Sequence, residues 1–221
     1  MTSPNNSGAE RRRYAARLPR EVRRAQILDA AARLIAEHGW QGMTMERVAA
    51  EAGVAKSVSY AIFESRARLQ RAVMRRAQEV TGERVERALA AARDADGLGA
   101  ALAAGLTSYL ESVAREPEIS RLVLLPIEGA PEGVREAVRE GRERVRGQVL
   151  AVVKDRLARV GAGASGLDAE LLSHLVRDNA ENLARLLLEH PGTFTPRRLA
   201  GSVGELLAAV TGARQPSGYG P

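Results

Sequence analysis

The sequence predicts an all-α protein of about nine helices, in which a small three-helix head is joined by one long helix to a larger helical body. Three observations carry this. Between Gly39 and Leu69, two short helical segments flank a tight turn at Gly53 and lead into a third helix. Apolar residues recur at helical spacing through most of the remaining chain. Breakers fall between those stretches, at Asp94–Gly97, Pro117, Pro126–Pro131, Gly161–Gly166 and Pro191–Pro196.

Charge divides the chain the same way. Residues 1–76 carry 15 Lys+Arg against 7 Asp+Glu, a net of +8, and residues 77–221 carry 18 against 20, a net of −2. A basic head on a near-neutral body suits a polyanionic partner. The chain has no cysteine, which excludes disulfides and thiolate metal sites and makes a cytoplasmic protein the expectation. No apolar run approaches the roughly 18 residues of a membrane span. Met1–Gly8 is polar and lacks the apolar core of a secretory signal.

In order, residues 1–18 form a basic arm, Arg11-Arg12-Arg13 included, expected to be disordered and able to help hold DNA electrostatically. The first helix is expected from Pro19 to His38, with Ile27, Leu28, Ala31, Leu34 and Ile35 on one face and Gly39 ending it. Trp40 should plug the end of the head's core. Thr44 caps the second helix, over Met45, Val48 and Ala49, and Gly53 supplies the turn. Val54, Val58 and Phe63 anchor the third, whose polar groups are Lys56, Ser57, Ser59 and Tyr60. The head is thus expected over 19–66.

The body is expected over 67–213. Ser65 caps the linking helix, which runs through Leu69, Val73, Ala77, Val80 and Val85 to about Arg93. Leu98 to Val113 is the next helix. Ile119 to Ile127 is short and could be a strand on periodicity alone; its helical neighbours favour a helix. Pro131 opens a long segment to Leu157, with Glu and Arg interleaved as on a solvated face. Gly161–Gly166 formally matches G-x-G-x-x-G, but a charged helix precedes it where the dinucleotide fingerprint needs a strand, so it reads as a linker. Asp168 caps Ala169–Glu189, and Pro196 opens the last helix. Both closing helices are apolar over more than one face, which calls for a partner and suggests a four-helix interface with a second copy. Residues 214–221 form a tail.

The run Ala25-x-Ile27-Leu28-x-Ala30-Ala31, Gly39, Thr44-Met45-x-x-Val48-Ala49-x-x-Ala52-Gly53-Val54 and Tyr60-x-x-Phe63-x-Ser65-Arg66-x-x-Leu69 resembles the TetR family of bacterial one-component transcriptional regulators. The resemblance covers about 45 residues; elsewhere it lies in length, helicity and the final helix pair. It implies a homodimer formed through the last two helices, a palindromic operator in double-stranded DNA, and a small-molecule effector that releases it, repression being the commoner outcome. By the matched positions it implies phosphate contacts from Thr44, Lys56, Tyr60 and Arg66, with Arg47 adding another, and base contacts from Ser57 and Val58. Ser59 stands where a large apolar residue is usual, so looser packing is expected under this helix. Ala61 and Ile62 replace residues that are often aromatic or polar, which leaves the operator sequence open.

For the effector pocket, Tyr109, Asn179 and Asn182 are the candidates, the asparagines having helix or dimer contacts as the competing role. Few aromatics in the body favour an aliphatic lining. No cofactor, metal site or catalytic residue is expected: the histidines, at 38, 174 and 190, are scattered, and His174 with Asp178 reads as a surface pair. A helical DNA-architectural or protein-interaction module without an effector is the alternative function.

Overall fold

The computed structural model describes residues 19–125, 129–161 and 166–212. The expectations for the arm, for Ile127, for the tail and for most of the Gly161–Gly166 loop lie outside the described residues. Nine helices and no strand are found among the described residues: α1 Arg20–Gly42, α2 Met45–Glu51, α3 Lys56–Phe63, α4 Arg66–Asp94, α5 Leu98–Arg115, α6 Pro117–Leu124, α7 Glu132–Val160, α8 Ala169–Glu189 and α9 Pro196–Gly212.

The capping chemistry read from the sequence is in place. The Thr44 and Ser65 hydroxyls accept the Arg47 and Arg68 amides, each at 3.2 Å. The Asp168 carboxylate accepts the amides of Glu170 and Leu171 at 2.8 and 3.2 Å. Gly39 interrupts α1 at φ 67°, ψ 176°. This lets the chain turn Trp40 inward, where it is 3% exposed. The segment expected between Ile119 and Ile127 is helical, as anticipated, from Pro117 to Leu124.

Three cores stack along the molecule. The first gathers Ile27, Ala31, Leu34 and Ile35 of α1 with Trp40, Val48, Phe63 and Leu69, and it also takes in Leu122 of α6 and Val134 and Val138 of α7. The second joins Leu110 and Val113 of α5 to Leu187, Leu188 and Leu199. The third joins Val85 and Leu89 of α4 to Val149, Val152 and Val153 of α7. At ~1.5 Å per residue, α4's 29 residues span about 43 Å, so one helix runs from the first core to the third. Its C-terminal half lies close on α5 because Gly105 has no side chain: a Cβ there would stand 3.2 Å from the Ala88 carbonyl oxygen.

Most arginines on α7 face water as expected, but Arg156 is 5% exposed. It donates to the Ala92 carbonyl at 2.6 Å and to that of Arg93, closing the C-terminal end of α4. Arg185 does the same for α6 through Leu124, at 2.7 Å, and Arg121 for α8 through Leu188, at 3.2 Å. A cation at a helix C-terminus satisfies orphan carbonyls and opposes the dipole.

Candidate functional site

In the head, α2 and α3 are joined by a turn that needs positive φ at one place, Gly53 (φ 63°). The Gly53 amide donates to Ala50 O at 3.1 Å and the Val54 amide to Ala49 O at 2.9 Å. These bonds fix the angle between the two helices. Phe63 and Ser59 point inward and are buried. Lys56, Ser57, Tyr60 and Ala61 therefore line up on the outward face, at spacings of one and four residues.

Of the predicted contact residues, Lys56, Ser57 and Tyr60 lie together on that exposed face. Val58 is half-buried at its margin. The Lys56 ammonium lies 5.8 Å from the Tyr60 ring centroid and 2.5 Å from a Glu46 carboxylate oxygen. The bond to Glu46 holds the lysine's pKa above its ordinary value, and the same bond holds Glu46 below its own. Both side chains are more than half exposed to solvent, so the pair can part at little cost. Thr44 sits at the N-terminus of α2, where free amides face outward. Arg47 folds back and donates to Gly42 O at 3.0 Å.

Arg66, expected at a phosphate, is engaged within the fold: its Nη2 donates to Trp40 O at 2.7 Å and Gln41 O at 3.3 Å, tying the start of α4 to the end of α1. Ser59, at the position where a large apolar side chain is usual, points under the helix: it is 0% exposed, and its hydroxyl has no hydrogen-bond partner among the described residues. The anchor position retained its inward direction although the usual apolar side chain is missing.

In the body, α4, α5, α7, α8 and α9, with Val123 and Leu124 of α6, line a half-open cavity of about 550 Å³, its walls largely aliphatic side chains such as Leu89, Leu102, Val149 and Leu172. Tyr109 lines it. Burial pushes the Tyr109 hydroxyl up to about 12, with nearby Arg84 pulling the other way. Asn179 borders the cavity but is exposed rather than buried, and its amide donates to Leu175 O of its own helix at 2.8 Å. Asn182 is corrected: it is not among the lining residues, and it accepts from Arg185 at 2.8 Å on the outer face.

The residue that the sequence reading missed is Arg84. It is 1% exposed and lines the cavity. It follows Glu83 in the polar stretch Thr81-Gly-Glu-Arg, and only its place in the α4 register, one residue before Val85, could have pointed inward. Among the described residues, no cluster of His, Cys, Asp or Glu could hold a metal, and no helix is long and apolar enough to cross a membrane.

A helix-turn-helix head with an exposed second helix, continuous with a helical body around an apolar cavity, defines a class: the helical transcriptional regulators. Residues 27–73 match the model of the bacterial regulatory proteins, tetR family. A 60-residue stretch is 42% identical to the HTH-type transcriptional activator FasR of Mycolicibacterium smegmatis; it amounts to 27% of this chain and spans about a quarter (27%) of that relative's length. The fold extends the likeness to most of the chain. The fatty acid degradation regulator FadR of Bacillus halodurans superposes with a TM-score of 0.68 at 19% identity, over 84% of this chain and 94% of that one. FadR of Bacillus subtilis, solved in complex with stearoyl-CoA, gives 0.65 at 20% identity over 83% and 96%. The helix-turn-helix segment is thus that of the bacterial regulatory proteins, tetR family, and the chain as a whole shares the fold of these helical regulators.

Proposed function

We propose that the protein is a homodimeric, sequence-specific DNA-binding regulator that reads a palindromic operator and leaves it when a small, largely aliphatic effector fills the cavity of the body. The observation that carries the reading is the pairing, in one chain, of the exposed Lys56–Ser57–Tyr60–Ala61 face with an apolar cavity of about 550 Å³. Residues 19–66 act as the head, 67–213 as the effector and dimer body. Release by effector makes the protein a repressor in the simplest arrangement. The matched relative is named an activator, so the sign of the effect is a separate readout in transcription assays.

Dimerisation is supported by the leucines left uncovered on the closing helices. Leu171 and Leu175 of α8 are 58% and 48% exposed, and Leu206 of α9 is 64% exposed. One turn of spacing places the two α8 leucines on one face, and such a patch calls for a partner. Leu175 and Leu206 also border the cavity, so a second copy seated there would cover one of its walls. Two heads about one turn of DNA apart, roughly 34 Å, would each read a half-site. The fold neighbour's stearoyl-CoA supports an acyl-chain effector for a cavity with aliphatic walls.

The test is genomic footprinting with the purified full chain, followed by mobility-shift titration on the site found. Tyr60→Ala should weaken operator binding at least several-fold and leave the melting temperature and dimer unchanged. Unchanged affinity would sink the α3 assignment. Binding that falls with salt yet shows no preference for any sequence would instead favour an architectural DNA role.

A further inference from the structure

Resting on the reading of the cavity as an effector site, we propose that its ligand is an aliphatic chain ending in a carboxylate, and that Arg84 receives that carboxylate. A guanidinium stays charged inside a protein and presents a rigid fork of donors. Arg84 is 1% exposed, yet its Nε and Nη2 have no hydrogen-bond partner among the described residues. The nearest carboxylate, Glu116, stands 3.6 Å from Nη2, beyond hydrogen-bond length, and is itself 45% exposed. Water therefore screens the counter-charge but does not reach the cation.

Its neighbours are not placed this way. Arg156, Arg185 and Arg121 reach the ends of helices and find free carbonyls there. Arg84 lies in the middle of α4, where every backbone carbonyl is taken by the helix itself. The other carboxylate close to Tyr109, Glu181, is held by Arg142, Arg177 and Arg185 at 3.4, 3.6 and 3.2 Å. What remains for Arg84 is the cavity it lines.

The cavity walls admit an aliphatic chain and offer it nothing polar along Leu89, Val149 and Val153. At the Arg84 end, Tyr109 keeps its proton through the physiological range, because burial raises it to about 12, so its hydroxyl can donate. A planar carboxylate accepts a guanidinium fork in two parallel bonds, and its negative charge would balance that of Arg84. At ~30 Å³ per heavy atom, about 550 Å³ corresponds to roughly 18 heavy atoms. Tetradecanoate is of the right size.

The experiment is calorimetric titration of the full chain with tetradecanoic acid, tetradecanol and tetradecanoyl-CoA, all below their micelle concentrations. Wild type should bind the acid at least 10-fold more tightly than the alcohol. Arg84→Met, whose folding is checked by its melt, should lose about 10- to 100-fold for the acid and keep its affinity for the alcohol. Glu116→Gln, by removing the competing charge, should tighten the acid and not the alcohol. A merely structural arginine would move both ligands together. Equal binding of acid and alcohol by wild type overturns the assignment of Arg84, as does tight binding of the thioester alone that Arg84→Met leaves intact. If wild type binds its operator but none of the three ligands, the reading of the cavity as an acyl-effector site falls as well.

Discussion

Arg66→Ala separates a structural arginine from a DNA-contacting one. In the fold its guanidinium bonds two carbonyls, Trp40 O at 2.7 Å and Gln41 O at 3.3 Å, across 26 and 25 residues of sequence. Hydrogen bonds to a charged group are worth about 1.5–3 kcal/mol each when well formed. Only the shorter bond is well formed, and the stem's packing adds a little. The expected loss is therefore about 2 kcal/mol, roughly a 30-fold change in the folding equilibrium. Urea denaturation at fixed protein concentration reads this directly. The second arm is operator affinity against salt. A residue that neutralises a phosphate contributes about 0.9 to the slope of log affinity on log salt; a helix clamp contributes nothing. The variant should thus melt earlier and keep the wild-type slope. Unchanged stability together with a slope reduced by about one would refute the clamp and restore Arg66 as a phosphate contact.

Three further outcomes follow from local geometry. Ser59→Ala should stabilise the head by about 1 kcal/mol, because it removes a buried hydroxyl that has no partner among the described residues; denaturation midpoints check it. Gly105→Val should destabilise by about 1–3 kcal/mol, since its Cβ alone would meet Ala88 O at 3.2 Å and Ala92 Cβ at 3.3 Å and two methyls would follow; a melt no lower than wild type would contradict the close α4–α5 approach. Tyr109 should ionise late: its folded pKa, about 12, lies above the ordinary 10, so it adds stability below pH 10 that is lost as pH rises from 10 towards 12. Ultraviolet titration should show a late phenolate that Tyr109→Phe abolishes.

The helices were legible because their signals are local. A hydroxyl or carboxylate at the head of a helically spaced apolar run gave Thr44, Ser65 and Asp168 as caps, and each does cap. The outward face of α3 was legible as far as Lys56, Ser57 and Tyr60, for the same reason: periodicity fixes direction within two turns. Arginine was not legible. A side chain with a long stem can reach solvent, a phosphate or a carbonyl some 60 residues away, and nothing in its neighbours along the chain says which. Arg66, Arg156 and Arg185 turned out to close helix ends, and Arg84 turned into a cavity. Asn182 fell outside the cavity because a rotation of one or two residues along α8 separates the wall from the outer face, and the apolar stripe was too broad to set that phase.

How an occupant of the cavity is felt at the head follows from which side chains are shared. Met74 and Val138 belong to the first core and also line the cavity. Leu122 and Val134 pack into that core from α6 and α7, and Gln41 and Gln78 donate across to Gly129 O at 3.2 Å and Ala137 O at 3.0 Å. The head's core thus takes in the same stretch of α7 that walls the cavity, and Gln78 ties α4 to that stretch. Close-packed side chains move as units rather than compress, so a ligand that spreads α4 from α7 must shift the α1 contacts too. Such a shift changes DNA affinity only if the two arrangements bind ligand unequally. The anion proposed for Arg84 would supply a physical source of that inequality: with a carboxylate against Arg84 the guanidinium would be matched inside the cavity, and without it the nearest counter-charge is Glu116 at the α5–α6 junction. The two states would then differ in which element Arg84 holds. α6, through Leu122, is part of the head's core, so a change at that junction would be transmitted to the reading helices by packing already in place.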